Sequence, residues 1–191
     1  DAEFATFALE APEGAAILLL VTIPFPGCAA GALACARAAR RAFGNRVRVA
    51  FGGGYVSTEL RGLEDPAVFD DADWLVFDAG YAGLEGILAA LDGADDGALH
   101  RTMKRGADGR VLAAGFPEGD EAGLPSPART VLATAGFADR EKRDRALVAT
   151  VFPDWRGARW TDYVGAVDSA NPMHRLWSDA RWMKYHLAYG C

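Results

Sequence analysis

Leu18-Leu19-Leu20-Val21-Thr22-Ile23-Pro24-Phe25-Pro26-Gly27 and, a helix-length later, Phe51-Gly52-Gly53-Gly54-Tyr55-Val56-Ser57-Thr58-Glu59-Leu60-Arg61 decide the fold class. The first stretch sits in an unbroken apolar run, Ala16 to Thr22, with no polar alternation. Such a run suits a strand covered on both faces, as in a parallel sheet. It leaves through a Pro-x-Pro-Gly turn. The second stretch leaves another predicted strand, Arg46 to Phe51, through three glycines. Between them Gly27 to Phe43 is rich in alanine and closes on Arg-Arg-Ala-Phe-Gly-Asn, which predicts a helix ended by Gly44.

Working outward, Thr58 to Gly62 fits a short helical turn, Asp73 to Phe77 a third strand bounded by Asp78 and Gly80, and Leu84 to Leu91 a helix. Strands alternating with helices, with glycine at the strand ends, predict an α/β fold built on a doubly wound parallel sheet. His100 to Lys104 and Arg110 to Ala114, joined by Arg105-Gly106-Ala107-Asp108-Gly109, read as a hairpin. Gly115 to Pro127 reads as a linker. Leu147 to Phe152 fits another short strand, and residues 1 to 14 a helix remnant.

The 191 residues suffice for one well-buried domain and an appendage, because domains most often run about 100–150 residues. The 51% hydrophobic content points to a real core. A net charge of -6 argues against nucleic-acid binding, which needs a concentrated basic face. The two short basic runs, Arg37 to Arg41 and Arg140 to Arg145, read as a solvated helix end and a solvated face of mixed sign. No stretch reaches the roughly 20 apolar residues of a membrane span, and none has the basic flank of a signal peptide. Three cysteines with no scaffold-like spacing fit a reducing cytoplasm. Cys28 and Cys35, two helical turns apart, read as core packing.

In an open parallel sheet, ligands bind beyond the carboxyl ends of the strands. Thr22 to Gly27, Gly52 to Ser57 and Asp78 to Gly80 all fall there. Without a β-carbon, Gly52, Gly53 and Gly54 let the backbone pass close to a bulky ligand. Three glycines alone fit a tight strand-to-helix turn with no ligand better than a binding site. The Pro-Phe-Pro-Gly companion and the Tyr-Val-Ser-Thr-Glu-Leu continuation favour a binding site. His100, His174 and His186 lack acidic partners at ligand spacing, so a zinc site is not expected. Trp155, Trp160, Trp177 and Trp182 crowd the carboxyl end, a density that suits packing between domains. Phosphate-loop and nucleophile-elbow motifs are missing.

These stretches, with Asp73-Trp74-Leu75-Val76-Phe77-Asp78-Ala79-Gly80, resemble the flavodoxin- or Rossmann-like cobalamin-binding domain found ahead of the barrel in cobalamin-dependent radical S-adenosylmethionine proteins. A second likeness lies at the carboxyl end. Asn171-Pro172-Met173-His174-Arg175-Leu176-Trp177-Ser178-Asp179, followed by Met183 to Gly190 and Cys191, resembles the approach to the catalytic barrel of that family.

The resemblance implies cobalamin contacts from Thr22, Pro24, Gly27, Gly52, Gly53, Gly54, Tyr55, Ser57, Asp78 and Gly80. Tyr55 and Ser57 would hydrogen-bond the amide side arms. Cys191 would be the first ligand of a 4Fe-4S cluster, in a Cys-x-x-x-Cys-x-x-Cys loop of which it alone is present, and His174 would position its loop. One thiolate cannot hold such a cluster. The intact protein would use S-adenosylmethionine, a reductant such as flavodoxin or ferredoxin and an unknown small-molecule or peptide substrate, with no nucleic acid and no membrane. Residues 1–95 would then be a partial cobalamin domain begun in mid-fold, 96–150 hairpin and linker, and 151–191 the lead-in to a truncated barrel. Two departures from the family pattern stand out. The Asp-x-His-x-x-Gly motif that supplies cobalt's lower ligand is not seen, but it would lie ahead of residue 1, so its absence carries no weight, and radical members commonly lack that histidine. Tyr81 also stands where relatives place an acid. The alternative is a noncatalytic α/β binding or interaction module that has lost its ligand. A protein binding a phosphorylated nucleotide ranks lower, because no phosphate loop follows the first strand.

Overall fold

The apolar run forms strand β1, Ile17–Thr22, in a computed structural model that describes residues 14–150 together with Pro12, Asp154 and Arg156. After it come α1 (Ala29–Phe43), β2 (Val47–Gly52), α2 (Gly54–Glu59), β3 (Trp74–Val76) and α3 (Tyr81–Leu91). Then follow β4 (Thr102–Arg105), β5 (Val111–Ala114), β6 (Arg129–Leu132) and α4 (Phe137–Thr150). The six strands form one sheet in sequential order. β1, β2 and β3 are parallel, β4 runs against both its neighbours, and β5 and β6 are parallel to each other. The protein is therefore α/β, with a mixed, mostly parallel sheet.

Period-two alternation sorts the side chains onto two faces. Val47, Val49 and Phe51 of β2 join Leu75 and Met103 on one face, under Ala32, Ala36, Ala39 and Phe43 of α1. Those α1 positions recur every three or four residues, and their small size lets the helix lie close to the sheet. Ala50, Trp74 and Ala114 lie on the other face, with Ile87 of α3 and Leu99. Gly83 and Gly86 allow α3 to approach closely: a β-carbon on Gly86 would lie 2.5 Å from the Ala98 carbonyl oxygen, and one on Gly83 would lie 3.1 Å from that of His100. Gly44 ends α1 with φ +57°, its N–H donating to the Arg40 carbonyl.

Several expectations change. The run Ala16 to Thr22 was expected to be covered on both faces, but β1 is the outermost strand and Leu20 is 54% exposed. Its apolar character serves the α1 face through Ile17, Leu19 and Val21, while α3 covers the other face farther along the sheet. The hairpin strands join the main sheet: β4 pairs with β3, and β6 extends the sheet beyond β5, so the sheet continues past residue 95. Leu147 to Thr150 belong to the last turns of α4 and not to a strand, since α4 continues the hydrogen-bonding run begun at Phe137. Cys28 is exposed because the helix begins one residue later; Cys35 is half-buried. The basic run on α1 is anchored, with Arg37 paired to Asp71 and Arg40 to Asp73.

Residues 1–11, the barrel approach, Cys191, His174, Trp155, Trp160, Trp177 and Trp182 lie outside the described residues. Asp1–Val151 form one compact unit and Phe152–Cys191 another. In the second, Asp154 pairs with Arg156 at 2.7 Å. Among the described residues, no helix is long and apolar enough to cross a membrane.

Candidate functional site

The carboxyl ends of β1, β2 and β3 surround a cleft with a cavity volume of about 330 Å³. This is near the lower end of the range for small-molecule pockets, about 300–1,000 Å³. Thr22, Gly52, Gly53, Asp78 and Gly80 line it together with Leu20, Val76, Tyr81, Leu84 and Ile87. The cleft exists because α3 leaves the outer side of Leu20 uncovered. Its walls are largely aliphatic and backbone.

The turn between β2 and α2 shows why glycine is needed. Gly53 has φ +98° and ψ -178°, a conformation essentially reserved for glycine. A β-carbon there would lie 2.8 Å from the Thr22 methyl and 2.9 Å from the Ile23 carbonyl oxygen. Tyr55 N–H donates to that same carbonyl at 3.0 Å, tying the two strand-end turns together. A β-carbon on Gly54 would stand 3.1 Å from the Pro24 carbonyl oxygen.

Five of the ten predicted cofactor-binding residues thus meet in the cleft: Thr22, Gly52, Gly53, Asp78 and Gly80. The other five lie elsewhere. Pro24 and Gly54 form the turn beside it, and Gly27 sits in an exposed turn with open space around it. Tyr55 packs against the α1-side core. The Ser57 hydroxyl accepts the Asp78 N–H at 2.8 Å, fixing the loop that walls the cleft.

An ion cluster backs that wall, and most of it escaped sequence reading. Asp78 accepts from Arg61 through Oδ1 and from Arg101 Nη1 through Oδ2 at 2.5 Å. Arg61 also reaches Asp120 at 2.7 Å. Glu141 of α4 takes Arg101 as a two-pronged pair, at 2.6 Å from Nε and 3.0 Å from Nη2. Asp78 (φ 60°) and Arg101 (φ 43°) are the two positive-φ residues other than glycine among the described residues. Left-handed backbone at such residues costs about 1–3 kcal/mol and persists only where surroundings over-determine it. Here the two strained residues hold each other.

Buried His100 lies next to this cluster, its Nε2 3.0 Å from Glu141 Oε1. Nε2 is therefore the protonated nitrogen, and Nδ1 is buried with no hydrogen-bond partner. Burial, against the opposing pull of Glu141, holds the imidazole below its ordinary pKa. Glu141 is lowered in turn, chiefly by its hydrogen bond to Arg101. Arg61 and Asp78 lie within the stretches that drew attention in the sequence. His100, Arg101, Asp120 and Glu141 lie in stretches read as hairpin, linker and solvated face, because their separations from their partners, from 17 to 59 residues for the cited pairs, follow no local period.

The amino end of α3, the natural place for an anion, is already used. Ala82 N–H donates at 2.8 Å to the buried carboxylate of Asp144 on α4. That carboxylate occupies the position a phosphate would take at a helix N-terminus. No group of three or more His, Cys, Asp or Glu side chains among the described residues is arranged to hold a metal ion. No family model, curated protein or solved structure matches this chain.

Proposed function

We propose that the strand-end cleft is a cobalamin site, and that the chain is the cobalamin-binding portion of a radical S-adenosylmethionine enzyme. The observation that carries this reading is the convergence of Thr22, Gly52, Gly53, Asp78 and Gly80, from three successive strand ends, on one cleft. A nucleotide tail would enter the cavity of about 330 Å³, and the corrin would lie over the mouth, near Leu20 and Tyr81. The bare backbone at Gly52 and Gly53 provides the close approach such a tail requires. When bound, cobalamin would supply methyl transfer or radical chemistry, with the 4Fe-4S cluster and S-adenosylmethionine of the intact protein as its partners. The residues of this chain would orient the tail and exclude water from it.

A specific observation favours the second reading, an α/β binding or interaction module without its ligand. Both oxygens of Asp78 are engaged by arginines, and Tyr81 stands where the family places an acid. Titration with hydroxocobalamin, followed by desalting, separates the two. Stoichiometric retention by the wild-type chain, abolished by Gly52→Leu, is the expected result. The leucine side chain would fill the cleft, while its β-carbon would meet the Val76 carbonyl oxygen at an ordinary 3.4 Å. A folded wild-type chain that retains no corrin would refute the cobalamin site.

A further inference from the structure

We infer that Arg101 and Glu141 are positioning residues for the cleft: docking of α4 sets the Asp78–Gly80 wall through a relay from Glu141 to Arg101 to Asp78. This inference concerns the protein without ligand and does not rest on the cobalamin reading.

The attachment of α4 is unusual for a helix on a domain surface. Its one buried residue is Asp144, and Arg140 and Glu141 share its inward side with the half-buried Phe137 and Leu147. Glu141 grips Arg101 and meets His100, Asp144 caps Ala82, Arg143 pairs with Glu85, and Arg140 donates to the Ala98 carbonyl. Phe137 adds a ring contact to His100, with centroids 5.0 Å apart. A helix held largely by charge releases more readily as salt rises or as a single partner is lost.

Two of these contacts end on the cleft. Asp144 holds the first turn of α3 next to Tyr81, and Glu141 holds Arg101, whose Nη1 holds Asp78. Asp78 stays left-handed only while Ser57 accepts its N–H and the two arginines grip its carboxylate. Glu141 neutralises and orients Arg101 from the far side. Without that carboxylate Arg101 keeps only Asp78, the more distant Asp120 and the Phe137 ring, so its guanidinium loses its two-pronged anchor and grips Asp78 less firmly. The geometry of the wall thus depends on a residue 63 positions later in the chain that does not line the cleft.

Amide hydrogen exchange on the full chain tests the relay. Glu141→Ala keeps a strong helix former in α4. It is expected to accelerate exchange of the Asp78 N–H at least tenfold while the β2 amides of Ala50 and Phe51 stay at wild-type rates. Glu85→Ala removes the Arg143 pair, which holds α4 to α3 without reaching Asp78, and is expected to leave that amide within twofold of wild type. In an Asp78→Gly background, where glycine adopts the left-handed backbone without a clamp, Glu141→Ala is expected to have no effect on the exchange of residue 78. Salt should accelerate exchange of the Asp78 amide in wild type, and less so in Glu141→Ala, where only the arginine pairs of Asp78 itself remain to be screened. The relay is overturned if Glu141→Ala leaves the Asp78 amide within twofold of wild type. A parallel rise at Ala50 and Phe51 would also overturn it, because the effect would then be general destabilisation.

Discussion

Replacing Gly53 with alanine separates what the fold requires of this glycine from what a ligand requires. The backbone at φ +98° and ψ -178° costs a residue with a β-carbon about 1–3 kcal/mol. The added carbon would also meet the Thr22 methyl at 2.8 Å and the Ile23 carbonyl oxygen and nitrogen at 2.9 and 3.0 Å. Two of these neighbours are backbone atoms of a buried residue and cannot swing aside. Overpacking of this kind costs a further ~1–3 kcal/mol. The loss of unfolded-state entropy on replacing glycine returns only about 0.4–1 kcal/mol. A net loss of roughly 3 kcal/mol is expected, and at a urea m-value of about 2 kcal/mol/M it moves the unfolding midpoint down by about 1.5 M. Gly27→Ala is the control: nothing lies within 4 Å of its β-carbon, so its midpoint should stay near wild type. Both variants are measured without ligand, by circular dichroism against urea. A Gly53→Ala midpoint matching that of Gly27→Ala would refute the turn geometry. It would also mean that the triple glycine serves only the approach of a ligand.

The buried Arg129 provides a second test: its guanidinium donates to the carbonyls of Leu63 and Glu121 at 2.9 and 2.7 Å. Arg129→Met removes the donor from both carbonyls and should cost about 1–3 kcal/mol in the same urea assay, the range for one unpaired buried group, because both bonds are only part-buried. The pH dependence has a definite sign. His100 is held below its ordinary pKa, so as pH falls below about 6.5 the unfolded chain takes up a proton that the folded chain refuses, and stability drops. The lowered Glu141 adds a further loss as pH falls through the carboxylate range, when protonation breaks its pair with Arg101. Urea midpoints between pH 8 and pH 4 should therefore decline from near pH 6.5 downward. His100→Asn should flatten the upper part of that decline, and an unchanged profile in this variant would remove His100 as its origin.

Local physics made much of the scaffold legible in the chain. Continuous apolar runs ending in Pro-Gly or Gly-Gly-Gly have few alternatives to strands that turn sharply, and an alanine-rich stretch ended by glycine has few alternatives to a capped helix. β1, α1, β2, β3 and α3 all follow from signals local to each element. The convergence of Thr22, Gly52, Gly53, Asp78 and Gly80 was also foreseeable, because parallel strands place their carboxyl ends on one edge. Tertiary structure decided what depends on long-range pairing. Whether β1 is interior or outermost is invisible to its own residues, and so is whether the 100–114 hairpin stands apart or pairs with β3. The charged segment Arg140 to Arg145 reads as solvated because local sequence registers only that it is polar. In the fold, Glu141 and Asp144 turn inward to Arg101 and to the amino end of α3. An ion pair between groups dozens of residues apart has no sequence period, so the cluster behind the cleft could be seen only once the sheet had brought its members together.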